Sequence, residues 1–332
     1  MRCLLALLVL ATTSASETPD VFAQQRSLGR GVNLGNALDA PTEGAWGWKI
    51  ADEDLSRIRA AGFDSVRIPV RWSAHAATNA PYTIEPAFLD RVEHVVRRAL
   101  EQRLSVVLNM HHYEAFDAEP AGQRARFVAL WRQIAQRFAG YPDALHFELY
   151  NEPHGGLTAK EWNLAWPPAL AEVRRLHPNR AVHIGGVQWN QASTLQQLAL
   201  PAEDRHIIGH VHCYEPFHFT HQGAQWVNGA DAWIGTRWQG TPEEQTRLRR
   251  AVFASALEWS RLERRPIYLG EFGAYGQHAR LEDRVRWTRF MAQSAADLGM
   301  STAYWEYCQG FGLYDPEAKA WRQPLLDAAL GR

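Results

Sequence analysis

The amino-acid sequence predicts a single (β/α)8 TIM barrel, on three observations. Eight short β-branched or apolar runs recur along the 332 residues, segments of helical period lie between most of them, and no linker, charge block or repeat divides the chain. The runs are 31–34, 65–70, 104–110, 145–150, 181–185, 207–213, 266–270 and 302–305, each bounded by turn residues. The helical pattern is clearest at Phe88, Leu89, Val92, Val95, Val96, Ala99 and Leu100, which recur at i, i+3, i+4 and i+7. Similar patterns cover 53–61, 126–138, 161–176, 243–262 and 281–298. Strands that alternate with amphipathic helices imply parallel strands joined by right-handed crossovers. An open doubly wound sheet would want a Gly-x-Gly-x-x-Gly turn, which this sequence lacks. The longest interval between strands opens with the aromatic, glycine-rich stretch 214–240, and a loop of that length in a compact domain is usually functional.

Composition narrows the partners. With 35 basic and 36 acidic side chains and no basic stripe, nothing electrostatic points to nucleic acid or to an anionic membrane surface. A hydrophobic fraction of 46% excludes disorder. Residues 1–16 read as a secretory signal: a basic start at Met1-Arg2, an apolar run from Cys3 to Leu10, then small residues to Ser16. The apolar run is too short to span a bilayer, and no other stretch reaches 18 consecutive apolar residues. The expectation is an exported chain, periplasmic or extracellular, with no membrane contact after signal removal and with 17–332 acting as one domain and a monomer. Cys3 falls in the signal, which leaves Cys213 and Cys308; two buried thiols are the simpler reading, and a disulfide stays open.

In such a barrel the chemistry sits on the C-terminal ends of the strands and the loops that follow. In strand order those ends carry Asn33 and Asn36, Arg67, His111-His112-Tyr113, Asn151-Glu152-Pro153, Trp189-Asn190, His212-Cys213-Tyr214, Glu271, and Trp305-Glu306. Polar groups there converge on the barrel axis, where desolvation is costly unless they are paired or used. Glu152 and Glu271 each directly follow an apolar strand. Two opposed carboxyl groups suit cleavage of a glycosidic bond: one is held protonated to give its proton to the leaving oxygen, and the other is ionised to attack the anomeric carbon. Asn151 stands beside the first, and Arg67 and Tyr214 are donors that would keep the second ionised.

Seven segments, one at most strand ends, now form a pattern: Arg30-Gly31-Val32-Asn33-Leu34-Gly35-Asn36, Val66-Arg67-Ile68-Pro69-Val70, Leu108-Asn109-Met110-His111-His112-Tyr113, Glu148-Leu149-Tyr150-Asn151-Glu152-Pro153, His212-Cys213-Tyr214, Tyr268-Leu269-Gly270-Glu271-Phe272-Gly273 and Tyr304-Trp305-Glu306. In order and over nearly the whole mature chain, this set resembles glycoside hydrolase family 5, the retaining barrel enzymes that include endo-β-1,4-glucanases and β-mannanases. The resemblance implies Glu152 as general acid/base and Glu271 as nucleophile, with no cofactor and no metal. It further implies that Asn151 hydrogen-bonds the sugar 2-hydroxyl and that Arg67 and Tyr214 orient the nucleophile. His111 and His212 would line the subsite of the cleaved sugar, with Trp305 as its floor. His112 doubles the histidine after the third strand and shares that candidacy; Asn36 and Trp189 complete the candidate binding set. The stretch 214–223 resembles what cellulase-type members carry after the sixth strand. That favours internal cleavage of a β-1,4-glucan (cellulose, mixed-linkage glucan or glucomannan), with β-mannan as the alternative.

The 14 Trp fit a glycan as partner, because an indole face covers the C–H surface of a β-linked sugar ring. Trp46, Trp48, Trp72, Trp189, Trp226, Trp233 and Trp238 fall after strands or in long loops and are candidate platforms. Trp131, Trp162, Trp166, Trp259 and Trp287 fall on helices and need only packing. Two rival classes remain. His210-x-His212 with His111 and His112 could form a metal-dependent hydrolase centre, although that set lacks an obvious acidic ligand and places Arg67 nearby. A non-catalytic glycan-binding barrel is the other. Cys213, between His212 and Tyr214, should point away from the axis.

Overall fold

A computed structural model describes residues 20–332, so the expected signal at 1–16 lies outside the described residues. Eight strands close into one parallel barrel in chain order: β1 Arg30–Asn33, β2 Ser65–Ile68, β3 Ser105–Asn109, β4 Leu145–Glu148, β5 Val182–Gly185, β6 Ile207–Cys213, β7 Ile267–Phe272 and β8 Ser301–Tyr304. Pairing of β1 with β8 completes the circle. Each strand overlaps a run marked by the sequence.

The helices pack their apolar stripes on the outside of the barrel. In the helix Pro86–Glu101 the buried set is Phe88, Val92, Val95, Val96 and Ala99, and each large side chain contributes roughly 1.5–3 kcal/mol by leaving water. The helix expected at 126–138 starts earlier, at Pro120, because proline in a first turn gives up only an N–H that has no helical partner. The pattern at 243–262 resolves into Pro242–Leu248 and Ser255–Glu263, with a π-helical turn at Arg249–Ala254 between them. A helix not anticipated from the sequence, Val21–Ser27, closes the N-terminal mouth of the barrel. There Gln25 Nε2 donates to the Ile267 carbonyl at 3.1 Å, and Ser301 Oγ donates to the Gln25 carbonyl at 2.7 Å.

Several indoles are anchors as well as filler. Trp72 Nε1 donates to the Asn109 carbonyl at 2.8 Å, Trp131 to Leu149 at 2.9 Å, Trp162 to Gly185 at 2.9 Å and Trp287 to Glu215 at 3.0 Å. These carbonyls sit at or within two residues of strand ends, where the ladder stops and a buried acceptor needs another donor. Trp72 and Trp238, entertained as sugar platforms, are fully buried, and Trp48 is tied by its Nε1 to the Gly35 carbonyl at 3.0 Å. They belong to the scaffold.

The barrel lumen departs from the usual branched-apolar filling. Register places Asn33 beside Arg67, Asn109 beside Glu148, Glu148 beside His183, and His210 beside Tyr268, all facing inward. Between β6 and β7 the register runs His210–Tyr268, Val211–Leu269, then His212–Glu271, so Gly270 is an extra residue in a bulge. With strict alternation Tyr268 and Gly270 would face in and Glu271 would face out. The extra residue resets the period and turns Glu271 into the lumen. Gly270 is glycine for a steric reason too, since a Cβ there would lie 1.9 Å from His210 Nε2.

Candidate active site

The C-terminal face opens into a groove of about 1600 Å³, larger than a single-ligand pocket and long enough for several sugar units. Of the residues proposed from the sequence, Asn36, His111, His112, Glu152, Trp189, His212, Tyr214, Glu271 and Trp305 line it. Arg67 and Asn151 lie directly beneath. Backbone strain gathers at the same face: among the described residues, five of the nine non-glycine residues with positive φ are Asn36, Glu152, Gln188, Trp189 and Asn190. A left-handed non-glycine residue costs on the order of 1–3 kcal/mol, which the surrounding structure must offset.

Arg67 organises the floor. Its five N–H groups meet five acceptors: Nε to Glu148 at 2.6 Å, Nη2 to Glu148 at 2.7 Å and to Asn151 Oδ1 at 2.7 Å, and Nη1 to Asn33 Oδ1 at 2.8 Å and to Glu271 Oε1 at 2.6 Å. Burial opposes its charge, but Glu148 and Glu271 outweigh burial and hold the guanidinium well above its usual range. Asn33 is itself fixed by donating Nδ2 to the Gly270 carbonyl at 2.9 Å. Glu148 was not singled out from the sequence. The available signal was a lone acidic residue closing a buried strand.

The two candidate carboxyl groups are treated differently. Glu271 accepts from Arg67 and from the Tyr214 hydroxyl at 2.8 Å, both contacts that favour its ionised form. Burial still raises its pKa above 4.5, against the pull of His212 and Arg67. Glu152 has no direct arginine contact. Its side chain is 22% exposed, and burial of its carboxyl pushes the pKa up to about 7, with Arg67 and His154 opposing. Its Oε1 lies 2.7 Å from His212 Nδ1. One oxygen each of Glu152 and Glu271 and one nitrogen of His212 all lie within 4.8 Å of one another. One carboxyl held protonated and one held ionised, face to face, is the arrangement that can protonate a leaving oxygen while attacking the carbon it leaves.

The walls are aromatic. Trp305 stacks parallel to His111 at 5.8 Å between centroids. It rests directly on Gly35, where a Cβ would come within 2.5 Å of the indole. Gly35→Ala is therefore expected to push Trp305 out of place and raise KM by roughly 10-fold or more, since a misplacement of about 1 Å can cost as much as 10²-fold. Steady-state kinetics with an unchanged KM would contradict this placement. Outward from the centre, Trp46 meets His112 edge-on at 5.7 Å, Trp189 stacks on His154 at 5.0 Å, and Trp226 meets Tyr275 at 4.9 Å. Exposed by 39%, 54% and 60%, these three line the groove and remain the candidate platforms among the loop tryptophans. Trp233 is instead stacked on His218 away from the groove.

Two loops are held by buried carboxyls that the sequence did not reveal. Asp39 accepts from the Asn36 and Ala37 amides at 3.0 and 2.8 Å, and Glu306 accepts from Cys308, Gln309 and Phe311 at 2.8–3.0 Å. Cys213 and Cys308 are free, buried thiols. Cys213, expected to point away from the axis, borders the groove, and burial pushes its pKa up to about 12, which keeps it protonated.

The metal reading finds an acidic residue it had seemed to lack. Glu148, His210 and His212 offer ligand atoms within 4.8 Å of one another. Glu148 is nonetheless engaged twice by Arg67, and a cation there would face that guanidinium. These three residues do not fit a metal.

Comparison with known proteins agrees with the geometry. The family model described as Cellulase (glycosyl hydrolase family 5) matches residues 29–310. Endoglucanase H of Acetivibrio thermocellus is 37% identical over 294 residues, which is 89% of this chain and 31% of that protein, so the chain spans about a third of that relative's length. Two structures of Thermotoga maritima Cel5A, in complex with mannotriose and with cellobiose, each match at 45% identity with a TM-score of 0.91, covering 93% of this chain and 100% of theirs. The chain belongs to the cellulase family of glycoside hydrolases, glycosyl hydrolase family 5.

Proposed function

We propose that this chain is a secreted endo-β-1,4-glucanase that cleaves internal linkages of cellulose, mixed-linkage glucan or glucomannan with net retention. The observation that carries the reading is the pair Glu152 and Glu271, with oxygens no more than 4.8 Å apart across a long aromatic groove. So close an approach of one oxygen from each suits a nucleophile and an acid acting on one sugar better than the wider spacing that an intervening water needs. Glu271 attacks while Glu152 protonates the leaving oxygen. The sugar ester removes the charge of Glu271, so Glu152 can then act as base for the incoming water. Asn151, with Oδ1 fixed by Arg67, has its amide N–H groups left as donors for the sugar 2-hydroxyl. Export is supported by the residue pattern of 1–16, and N-terminal sequencing of the mature chain tests it.

A second substrate class has a specific observation behind it. Thermotoga maritima Cel5A is described in complex with mannotriose as well as with cellobiose, so β-mannan is the second reading. Rates on carboxymethylcellulose, barley β-glucan, xyloglucan, xylan and mannan, with viscosity followed against reducing ends, decide among them. Fastest release from a β-1,4-glucan with an early fall in viscosity supports the first reading; release from none of the five overturns both.

The pH dependence follows from the same pair. The acid works only while protonated, so with Glu152 near pH 7 activity on unactivated glucan is expected to fall as pH rises through about 7. The nucleophile works only while ionised, and burial raises Glu271 above 4.5, which lifts the acidic limb in the same direction. A narrow, mildly acidic bell in kcat/KM is the expected profile. Activity still rising above pH 8 would contradict the assignment of Glu152.

A further inference from the structure

Below the acid lies a pair of histidines that the mechanism just given does not use. His210 is fully buried on β6. Its Nε2 lies 2.9 Å from Nε2 of His212, whose Nδ1 lies 2.7 Å from Glu152 Oε1. His183 on β5 and Tyr268 on β7 meet the His210 ring edge-on at 5.6 and 5.3 Å. Glu148 on β4 faces it, with Nδ1 3.6 Å from Oε2, and Arg67 on β2 and His111 just after β3 are the remaining charged or titratable neighbours. His210 Nδ1 has no hydrogen-bond partner. The ring lies over Gly270 in the bulge, where a Cβ would lie 1.9 Å from its Nε2.

Two imidazole nitrogens at 2.9 Å need one proton between them. Burial keeps both rings neutral, with His212 near 4, so each ring carries one N–H and two arrangements exist. In the first, Glu152 donates its O–H to His212 Nδ1, His212 Nε2 donates to His210, and His210 Nδ1–H points at Glu148. In the second, Glu152 has given its proton to solvent, His212 Nδ1–H donates to the ionised Glu152, His210 Nε2–H donates to His212, and His210 presents a bare lone pair to the Glu148 carboxylate. That lone pair would be a buried acceptor facing an anion, which is unfavourable.

We propose that His210, backed by Glu148, is a positioning residue that selects the first arrangement and thereby holds the proton on Glu152 in the resting enzyme. The assignment rests on the reading of Glu152 as acid/base. The second arrangement holds one proton fewer than the first, the one that Glu152 has given to solvent. Glu148 accepts two charge-assisted bonds from Arg67 at 2.6 and 2.7 Å.

The test is the pH profile of kcat/KM, which reports the free enzyme, for wild type, His210→Gln and Glu152→Ala. His210→Gln keeps a polar group near the Nε2 position but severs the link to Glu148. Its alkaline limb on a glucan oligomer is expected about one pH unit below that of wild type, the lower end of what a charge 4–6 Å away does. On a dinitrophenyl β-glycoside, whose departure needs no proton, the same substitution should move no alkaline limb. A merely structural role would not separate the two substrates. His210→Asn, which keeps a donor toward Glu148 and loses the His212 contact, tests the link from its other end if His210→Gln does not fold. An alkaline limb unmoved in a folded variant overturns the proposal. If Glu152→Ala itself retains that limb, the acid/base reading fails instead, so the two failures are distinguishable.

Discussion

Glu271→Ala is expected to lower kcat on a β-1,4-glucan by at least about 10⁴-fold, the scale on which an enzyme loses its rate when the nucleophile is removed. The fold should survive. Removing Glu271 takes away one of five Arg67 acceptors while Glu148 still neutralises the guanidinium through two bonds, so Tm should change little. The loss is chemical, and a small anion such as azide that can occupy the vacated space should restore turnover of an activated glycoside. Its product would be an α-glycosyl azide, because the anion then displaces the leaving group in a single inverting step. Reducing-sugar release that persists in Glu271→Ala would remove this residue from the centre of the account.

The second large effect belongs to Arg67. Arg67→Met should abolish activity and also destabilise the protein by about 3–5 kcal/mol, because it strands the carboxyls of Glu148 and Glu271 in a lumen from which water is excluded. For a chain of this size that corresponds to a fall of roughly 4–7 °C in Tm. Adding Glu148→Gln should recover part of the stability and none of the activity, since it removes one stranded charge without restoring the contact to Glu271. Arg67→Lys keeps the charge but cannot reach the five acceptors that the planar fork satisfies together, so activity should still fail. Wild-type Tm in Arg67→Met, read by calorimetry, would show that the network is not what holds this face.

How much of this was legible in the sequence follows from what each residue answers to. The strands announce themselves because parallel strands buried on both faces read as apolar runs, and the groups at their ends stand out by contrast: Glu152, Glu271, His111, His212 and Trp305 were all visible this way. Glu148 was not, and His210 was read only as a possible metal ligand. Both lie on strands at positions where an apolar neighbour would be expected, and their meaning depends on which strand lies across the lumen, at distances of 2.6–3.6 Å that only closure of the barrel creates. The bulge at Gly270 was equally hidden, although it decides that Glu271 faces the axis. The tryptophans divide for a comparable reason. Trp72 follows β2 just as Trp189 follows β5, but the first reaches back to the Asn109 carbonyl, whereas the second projects from a run of left-handed residues into the groove. Position after a strand does not specify direction. Asp39 escaped notice, and Glu306 was seen only as a strand-end residue, because their partners are backbone amides a few residues away, a local role that spacing does not distinguish from a surface carboxylate.

The central claim is a covalent glycosyl-enzyme on Glu271, and the most direct measurement is mass spectrometry of the protein after incubation with a 2-deoxy-2-fluoro glycoside carrying a good leaving group. Fluorine at C2 destabilises the oxocarbenium-like transition states of both steps, and the activated leaving group lets the first proceed, so the ester accumulates. The account predicts one added sugar on the peptide that contains Glu271 and none on the peptide that contains Glu152. An adduct on Glu152, or turnover by an inverting route with no adduct at all, would contradict it.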